Sequence, residues 1–203
     1  MAAQAFFFFI AGADTSANTI HFTLLELAGE PEILKRVHAE IDSVFENIES
    51  LTYNDIEKMQ YLDMVLSESM RMYPGIASIQ RQCSKSTMLP GSKVKVNKDT
   101  EVLIPIFGIH RDERFYPNPN VFDPERFSSQ NVSQIKNYSY LPFGEGNRIC
   151  IGNRFARLQV KAALAWLLRT YTLVGPKYSP KHFERSAFAL RDTSARAVAS
   201  TAR

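Results

Sequence analysis

The order of apolar and polar positions divides the chain into a helical first third, a β-rich middle, a long irregular stretch and a final helix. Residues 3–28 predict one long helix, apolar through Phe6, Phe7, Phe8, Phe9 and Ile10 and again through Leu24, Leu25 and Leu27. A polar cluster, Asp14, Thr15, Ser16 and Asn18, interrupts it in mid-course. Gly29 stops the helix, and Pro31 takes the first-turn position of the next. There Ile33, Leu34, Val37, Ile41, Val44 and Phe45 recur at the three- and four-residue spacing of a one-sided stripe. Thr52 with Asp55 three positions on predicts the cap of a short helix, and residues 60–72 predict a further helix closed by Pro74.

Beyond residue 76 the period shortens. Residues 78–83, 93–96 and 101–105 predict strands of one small sheet, separated by Pro90, Gly91, Asn97 and Lys98. Residues 112–147 are rich in Pro, Asn, Ser and aromatic side chains without periodicity, a length that is functional or disordered. Their aromatics argue against disorder. Helix returns over 153–169, and weak alternation follows over 171–174 and 187–190. The expected fold class is mainly α with small β-sheets, an α+β arrangement.

Composition narrows the chemistry. A chain of 203 residues, 45% hydrophobic, has apolar material for one sizeable core. Its net charge of +3 is spread without a basic run, which gives nucleic-acid binding no support. Two cysteines, Cys83 and Cys150, exclude a disulfide framework and a four-thiolate zinc or iron–sulfur site, and point to a reducing compartment. Residues 5–13 end in a small-x-small triplet like a signal-peptidase site, but no Lys or Arg precedes the apolar run and the helix continues through it. The run is also shorter than the roughly 20 residues of a membrane span.

The segment Phe143-Gly144-Glu145-Gly146-Asn147-Arg148-Ile149-Cys150-Ile151-Gly152 opens directly into the last helix. A lone Cys in a Gly-containing turn is by default a buried structural residue. Here the neighbours argue otherwise. A helix amino terminus supplies positive potential and free N–H donors that favour a thiolate. Gly146 and Gly152 let the backbone approach a large flat ligand, and Arg148 offers a fixed fork of donors to a carboxylate. Phe143 would cover the sulfur and keep water away.

Phe-x-x-Gly-x-Arg-x-Cys-x-Gly resembles the haem-binding signature of the cytochrome P450 family, and three further segments resemble that family in the same order. Glu68 and Arg71 lie three apart on one helix face, ordinarily only a weak surface pair, and Pro124-Glu125-Arg126-Phe127 resembles the segment whose Arg126 completes a buried network with them. Ala11-Gly12-Ala13-Asp14-Thr15 looks like the oxygen-binding signature. A Gly and a Thr in mid-helix are otherwise a kink or a polar packing spot. Arg81 matches a position that pairs with a haem propionate; its alternative reading is a surface Arg.

The resemblance implies one incomplete P450 domain over 1–203, the carboxy-terminal portion of that fold. Its parts would be an oxygen-binding helix (1–28), a Glu-x-x-Arg helix (60–73), a small sheet (76–106), a meander with the cysteine loop (112–152) and a proximal helix (153–169). It further implies haem b with Cys150 as the iron's axial ligand, and insertion of one oxygen atom of O2 into a small apolar organic substrate. Phe143, Gly146, Arg148, Gly152 and Arg81 would contact the cofactor. Gly12 would leave room for dioxygen, Thr15 would relay protons with Asp14 as its support, and Ala11, Ile76 and Ile79 would line the substrate cavity. Electrons would come from NADPH–cytochrome P450 reductase, with cytochrome b5 a further candidate donor. Arg154, Arg157 and Lys161 would face such an acidic partner. The implied location is the cytosolic face of the endoplasmic reticulum membrane, through an amino-terminal anchor that has no counterpart in this chain. Two other readings stay open on the residues alone: a truncated, catalytically inactive haem-binding relative, and a secreted binding protein without haem.

Overall fold

The computed structural model describes residues 2–45 and 50–178, together with the backbone of 198–200. Its helices are α1 (Ala2–Gly29), α2 (Pro31–Phe45), α3 (Tyr53–Lys58), α4 (Gln60–Met72), α5 (Ile106–His110) and α6 (Asn153–Thr170). Its strands are β1 (Ile79–Gln82), β2 (Thr87–Met88), β3 (Lys95–Val96), β4 (Glu101–Ile104), β5 (Thr172–Val174) and β6 (Val198–Ser200). The α+β class expected from the sequence is what the chain adopts.

The core lies where the second half of α1 meets α2, α4 and α6. The stripe of α2 contributes Val37 and Ile41 to one buried cluster with Phe22 and Leu27 of α1, Leu62 and Val65 of α4, and Leu164 and Leu168 of α6. Phe22 stacks on Tyr73 at 4.4 Å and 8°, which fixes α1 to the end of α4. The first half of α1 behaves differently: Phe6 to Phe9 are 61–71% exposed. Among the described residues, α1 buries side chains only from Ser16 onward.

Helix ends are set by identifiable contacts. Thr52 Oγ1 accepts from the Asp55 amide at 3.4 Å while Asp55 Oδ2 accepts from the Thr52 amide at 3.1 Å, a reciprocal capping box that opens α3. For α4 the cap comes from another helix: Glu40 of α2 accepts from the amides of Tyr61 and Leu62 at 2.7 and 2.8 Å. At the end of α1 a side chain on Gly29 would meet Lys177 Cα at 2.5 Å, so only glycine lets the chain after β5 pass this close.

The one small sheet expected over 76–106 is instead two separate two-stranded ladders. β1 pairs antiparallel with β4, Ile79 opposite Ile104 and Gln82 opposite Glu101. Between them, β2 and β3 form their own hairpin, turned by Gly91 at φ +71 and closed by the bond from the Leu89 amide to Val94 O at 2.9 Å. β5 pairs with β6 at the end of the chain; residues 187–190, expected to alternate, lie outside the described residues. The irregular stretch contains short 3-10 turns at Pro124–Phe127, Val132–Gln134 and Gly146–Arg148.

Candidate functional site

Glu68 and Arg71 face the irregular segment from α4, both fully buried. Arg71 donates Nε and Nη2 to the two Glu68 oxygens at 2.7 and 2.8 Å, and gives its remaining bonds to the carbonyls of His110 (2.7 Å) and Pro119 (2.9 Å). Glu68 also accepts from the Asp123 amide at 2.9 Å and, more loosely, from Arg126 Nε at 3.4 Å. Burial pushes the Glu68 carboxyl up, yet each of these contacts is an N–H donor, so the ionised form is the one the geometry accommodates. Arg126 Nη2 holds the carbonyl of Asn118 at 3.1 Å. The three residues named from the sequence therefore come together, and the spare donors of the two arginines brace the chain before Asp123 through the carbonyls of His110, Asn118 and Pro119.

From that brace the chain leads to the cysteine loop. Tyr116 donates its hydroxyl to Ser139 O at 3.0 Å, and Tyr140 donates to Ser67 O on α4 at 3.1 Å. The Gly144 amide then bonds Leu141 O at 3.1 Å, and the Cys150 amide bonds Phe143 O at 2.9 Å. Gly144 and Gly146 both sit at positive φ, +74 and +75, so the loop requires glycine at 144 as well as at 146. Gly152 caps α6, and a side chain there would lie 4.0 Å from Cys150 Sγ. Cys150 is a free, exposed thiol, and Arg148 beside it is exposed as well.

Next to this loop lies a cavity of about 320 Å³ lined by Ile79, Arg81, Ile104, Leu141 and Gly146, among others. Arg81 reaches it from β1, where it donates to the neighbouring Gln80 carbonyl at 2.9 Å. Ile79 Cδ1 lies 3.8 Å from a side-chain atom built on Gly144, and Thr15 Cβ lies 3.8 Å from one built on Gly75. The segment 75–79 thus runs from the polar cluster of α1 to the cysteine loop. Ile76, within it, is 44% exposed.

On α1, Thr15 Oγ1 donates to Ala11 O at 2.7 Å, and Thr19 and Thr23 repeat the bond one turn apart at 2.9 and 2.8 Å. Hydroxyls bonded back to the previous turn loosen the helix ladder at the polar cluster. A side chain on Gly12 would meet no atom within 4 Å, so the surface there is open. Ala11 and Asp14 are exposed on the same turns.

Two of the cations expected to face a partner are engaged elsewhere. Arg157 donates to Asp63 at 2.8 Å and Ser67 at 2.7 Å, and Lys161 is 4% exposed with Asp63 at 3.7 Å. Both sit on the face of α6 that packs on α4, a phase that positive charge alone does not reveal. Arg154 is exposed.

The model of the family "Cytochrome P450" matches residues 1–197. The chain belongs to the cytochrome P450 family. It is 40% identical over 191 residues to "Probable cytochrome P450 6a13" of Drosophila melanogaster, covering 90% of this chain and 39% of that protein. It is 47% identical over 175 residues to "Cytochrome P450 9e2" of Blattella germanica, covering 85% and 33%. A mammalian relative, "Cytochrome P450 3A12" of Canis lupus familiaris, is 41% identical over 172 residues, covering 85% and 34%. The chain spans between one third and two fifths of the length of these relatives.

Proposed function

We propose that this chain carries the haem-binding part of a monooxygenase that inserts one oxygen atom of O2 into a small apolar substrate. The observation that carries this reading is Cys150: an exposed free thiol at the entrance of α6, in a loop that follows the 139–141 segment, which Tyr116 and Tyr140 tie down at Ser139 and at Ser67 of α4. The residues fit a flat haem b. Among the described residues no three His, Cys, Asp or Glu side chains gather around an ion, and a single thiolate suits an iron whose other donors come from a macrocycle. The bare backbone of Gly144 and Gly146 and the cavity beside them leave room for a planar edge.

In this reading Cys150 ligates the iron, and Arg81 and Arg148 hold the propionates by charge-assisted hydrogen bonds. Phe143, Gly146 and Gly152 pack around the sulfur side. When bound, the haem with its thiolate ligand supplies the cleavage of the O–O bond. On the opposite side Gly12 keeps the surface of α1 low, and Thr15 serves as proton donor, with Asp14 resupplying it. To donate outward, Thr15 exchanges its bond to Ala11 O for one to the incoming acceptor, a rotation about a single side-chain torsion. Ala11, Ile76 and Ile79 bound the substrate. Electrons arrive from NADPH–cytochrome P450 reductase, or from cytochrome b5, across the α6 face that exposes Arg154, with the full-length protein held at the cytosolic face of the endoplasmic reticulum membrane. No helix among the described residues is long and apolar enough to cross a membrane.

The test is spectroscopic. The chain reconstituted with haem, reduced and exposed to carbon monoxide is expected to show the red-shifted Soret band of thiolate ligation, and Cys150→His is expected to abolish the shift. An unshifted band in the unmutated chain would overturn the assignment of Cys150.

A further inference from the structure

We propose that His110 is a positioning residue for the cysteine loop, held as the Nδ1–H tautomer between the Arg71 carbonyl and the Leu141 amide. Its geometry is independent of the haem reading; only its importance for a metal ligand rests on that reading. Leu141 N lies 2.8 Å from His110 Nε2. An amide N–H can only donate, so Nε2 presents its lone pair and the ring proton sits on Nδ1. There the carbonyl of Arg71 accepts it at 3.0 Å. The partners therefore dictate the tautomer.

The contact is reciprocal. Arg71 Nη1 donates to the His110 carbonyl at 2.7 Å while the His110 ring donates to the Arg71 carbonyl, so each side chain holds the other's main chain. His110 is fully buried, stacked on Tyr140 at 5.6 Å and edge-on to Tyr116 at 6.3 Å. From Leu141 the loop continues through its own backbone bonds, Gly144 to Leu141 O and Cys150 to Phe143 O. His110 is thus a side-chain link between α4 and the chain of amides that ends at Cys150, acting directly on the Leu141 amide, while Tyr140 ties the neighbouring residue to Ser67.

The groups facing the ring oppose a second positive charge: Arg71 on α4 and Arg111 next to it are cations, and Tyr116 and Tyr140 of the irregular segment are neutral phenols. Burial first, and these cations after it, push His110 down to about 4. An imidazolium would offer Leu141 a donor where it needs an acceptor, so the link exists only with the ring neutral.

The experiment uses the 203-residue chain without added haem. Nitrogen-15 spectra of the imidazole at neutral pH are expected to show the Nδ1–H tautomer; the Nε2–H form would overturn the proposal whatever the variants do. In His110→Phe, which keeps the ring stacking and loses both bonds, amide exchange at Leu141, Gly144 and Cys150 is expected to rise at least tenfold more than at Val37 and Ile41 of α2. His110→Gln, whose side-chain oxygen falls near the Nε2 position, is expected to restore protection at those three amides. Exchange that is unchanged, that rises equally throughout, or that Gln fails to reverse would each sink the positioning role. If the Phe variant does not fold, the tautomer of the unmutated chain still decides. A missing thiolate band alongside a protected loop would count against Cys150 as ligand and leave His110 standing.

Discussion

Four N–H groups, from Arg71, Asp123 and Arg126, converge on the carboxylate of Glu68 in a fully buried site. Glu68→Gln keeps the shape but removes the negative charge, leaving the wholly buried guanidinium of Arg71 uncompensated. A cost of roughly 3–5 kcal/mol is expected, read from urea unfolding midpoints. A loss within about 1 kcal/mol of the parent chain would mean the charge is not what holds the network. At this scale the sequence exposed much of the site. Glu68 and Arg71 share a helix face, and Phe143 to Gly152 concentrates glycine, cation and thiol in ten positions. The part played by His110 is not legible there, because both of its partners are main-chain groups, 39 and 31 positions away, and main-chain groups leave no mark on composition. Glu40 is hidden for the same reason: it caps a helix other than its own.

Among the elements, α3 is the one whose boundary rests most on its own side chains. It has only six residues and few buried groups, so its capping box carries a large share of its stability. Thr52→Ala is expected to cost about 1 kcal/mol, with increased amide exchange confined to the first turn of α3. A change within about 0.2 kcal/mol would show that packing of Ile56 alone sets this helix. Helices with strong periodicity were legible in position and length, because burial of one face fixes their phase. The 76–106 region was legible only as β: strand pairing depends on which runs meet across the turn at Gly91, and the two-residue strand β2 is too short to carry a period. Helix α5 was also missed. It is a single turn formed where Arg71 and Leu141 grip His110, so its cause is tertiary.

Across the molecule, two buried titrating groups oppose each other. Glu26 of α1 accepts the Tyr73 hydroxyl at 2.5 Å, and burial, partly offset by that bond and with Glu30 adding to it, raises its carboxyl from an ordinary 4.5 to about 7. Between those values the folded chain holds a proton that the unfolded chain has released, so this group's stabilisation is complete below about 4.5 and is lost as pH rises to about 7. His110 runs the other way. From an ordinary 6.5 down to about 4 the unfolded chain takes up a proton that the folded chain refuses, so stability falls as pH falls. The carboxylates of Asp112, depressed to about 2 chiefly by its bond to Arg114, and of Asp55, depressed to about 2 chiefly by its bond to Thr52, titrate below this interval. The windows of Glu26 and His110 overlap between about 4.5 and 6.5, where their slopes cancel in part. Urea midpoints taken from pH 4 to pH 8 are therefore expected to change little for the parent chain across the overlap. Glu26→Gln should leave a profile that climbs with pH up to about 6.5, and His110→Phe one that descends from about 4.5 to 7. Variants that both keep the parent's slope would show that the fold neither retains the Glu26 proton nor excludes one from His110. Opposite slopes would place one pH-sensitive contact at the α1–α4 crossing and the other beneath the cysteine loop, so that acid loosens the loop while the crossing tightens.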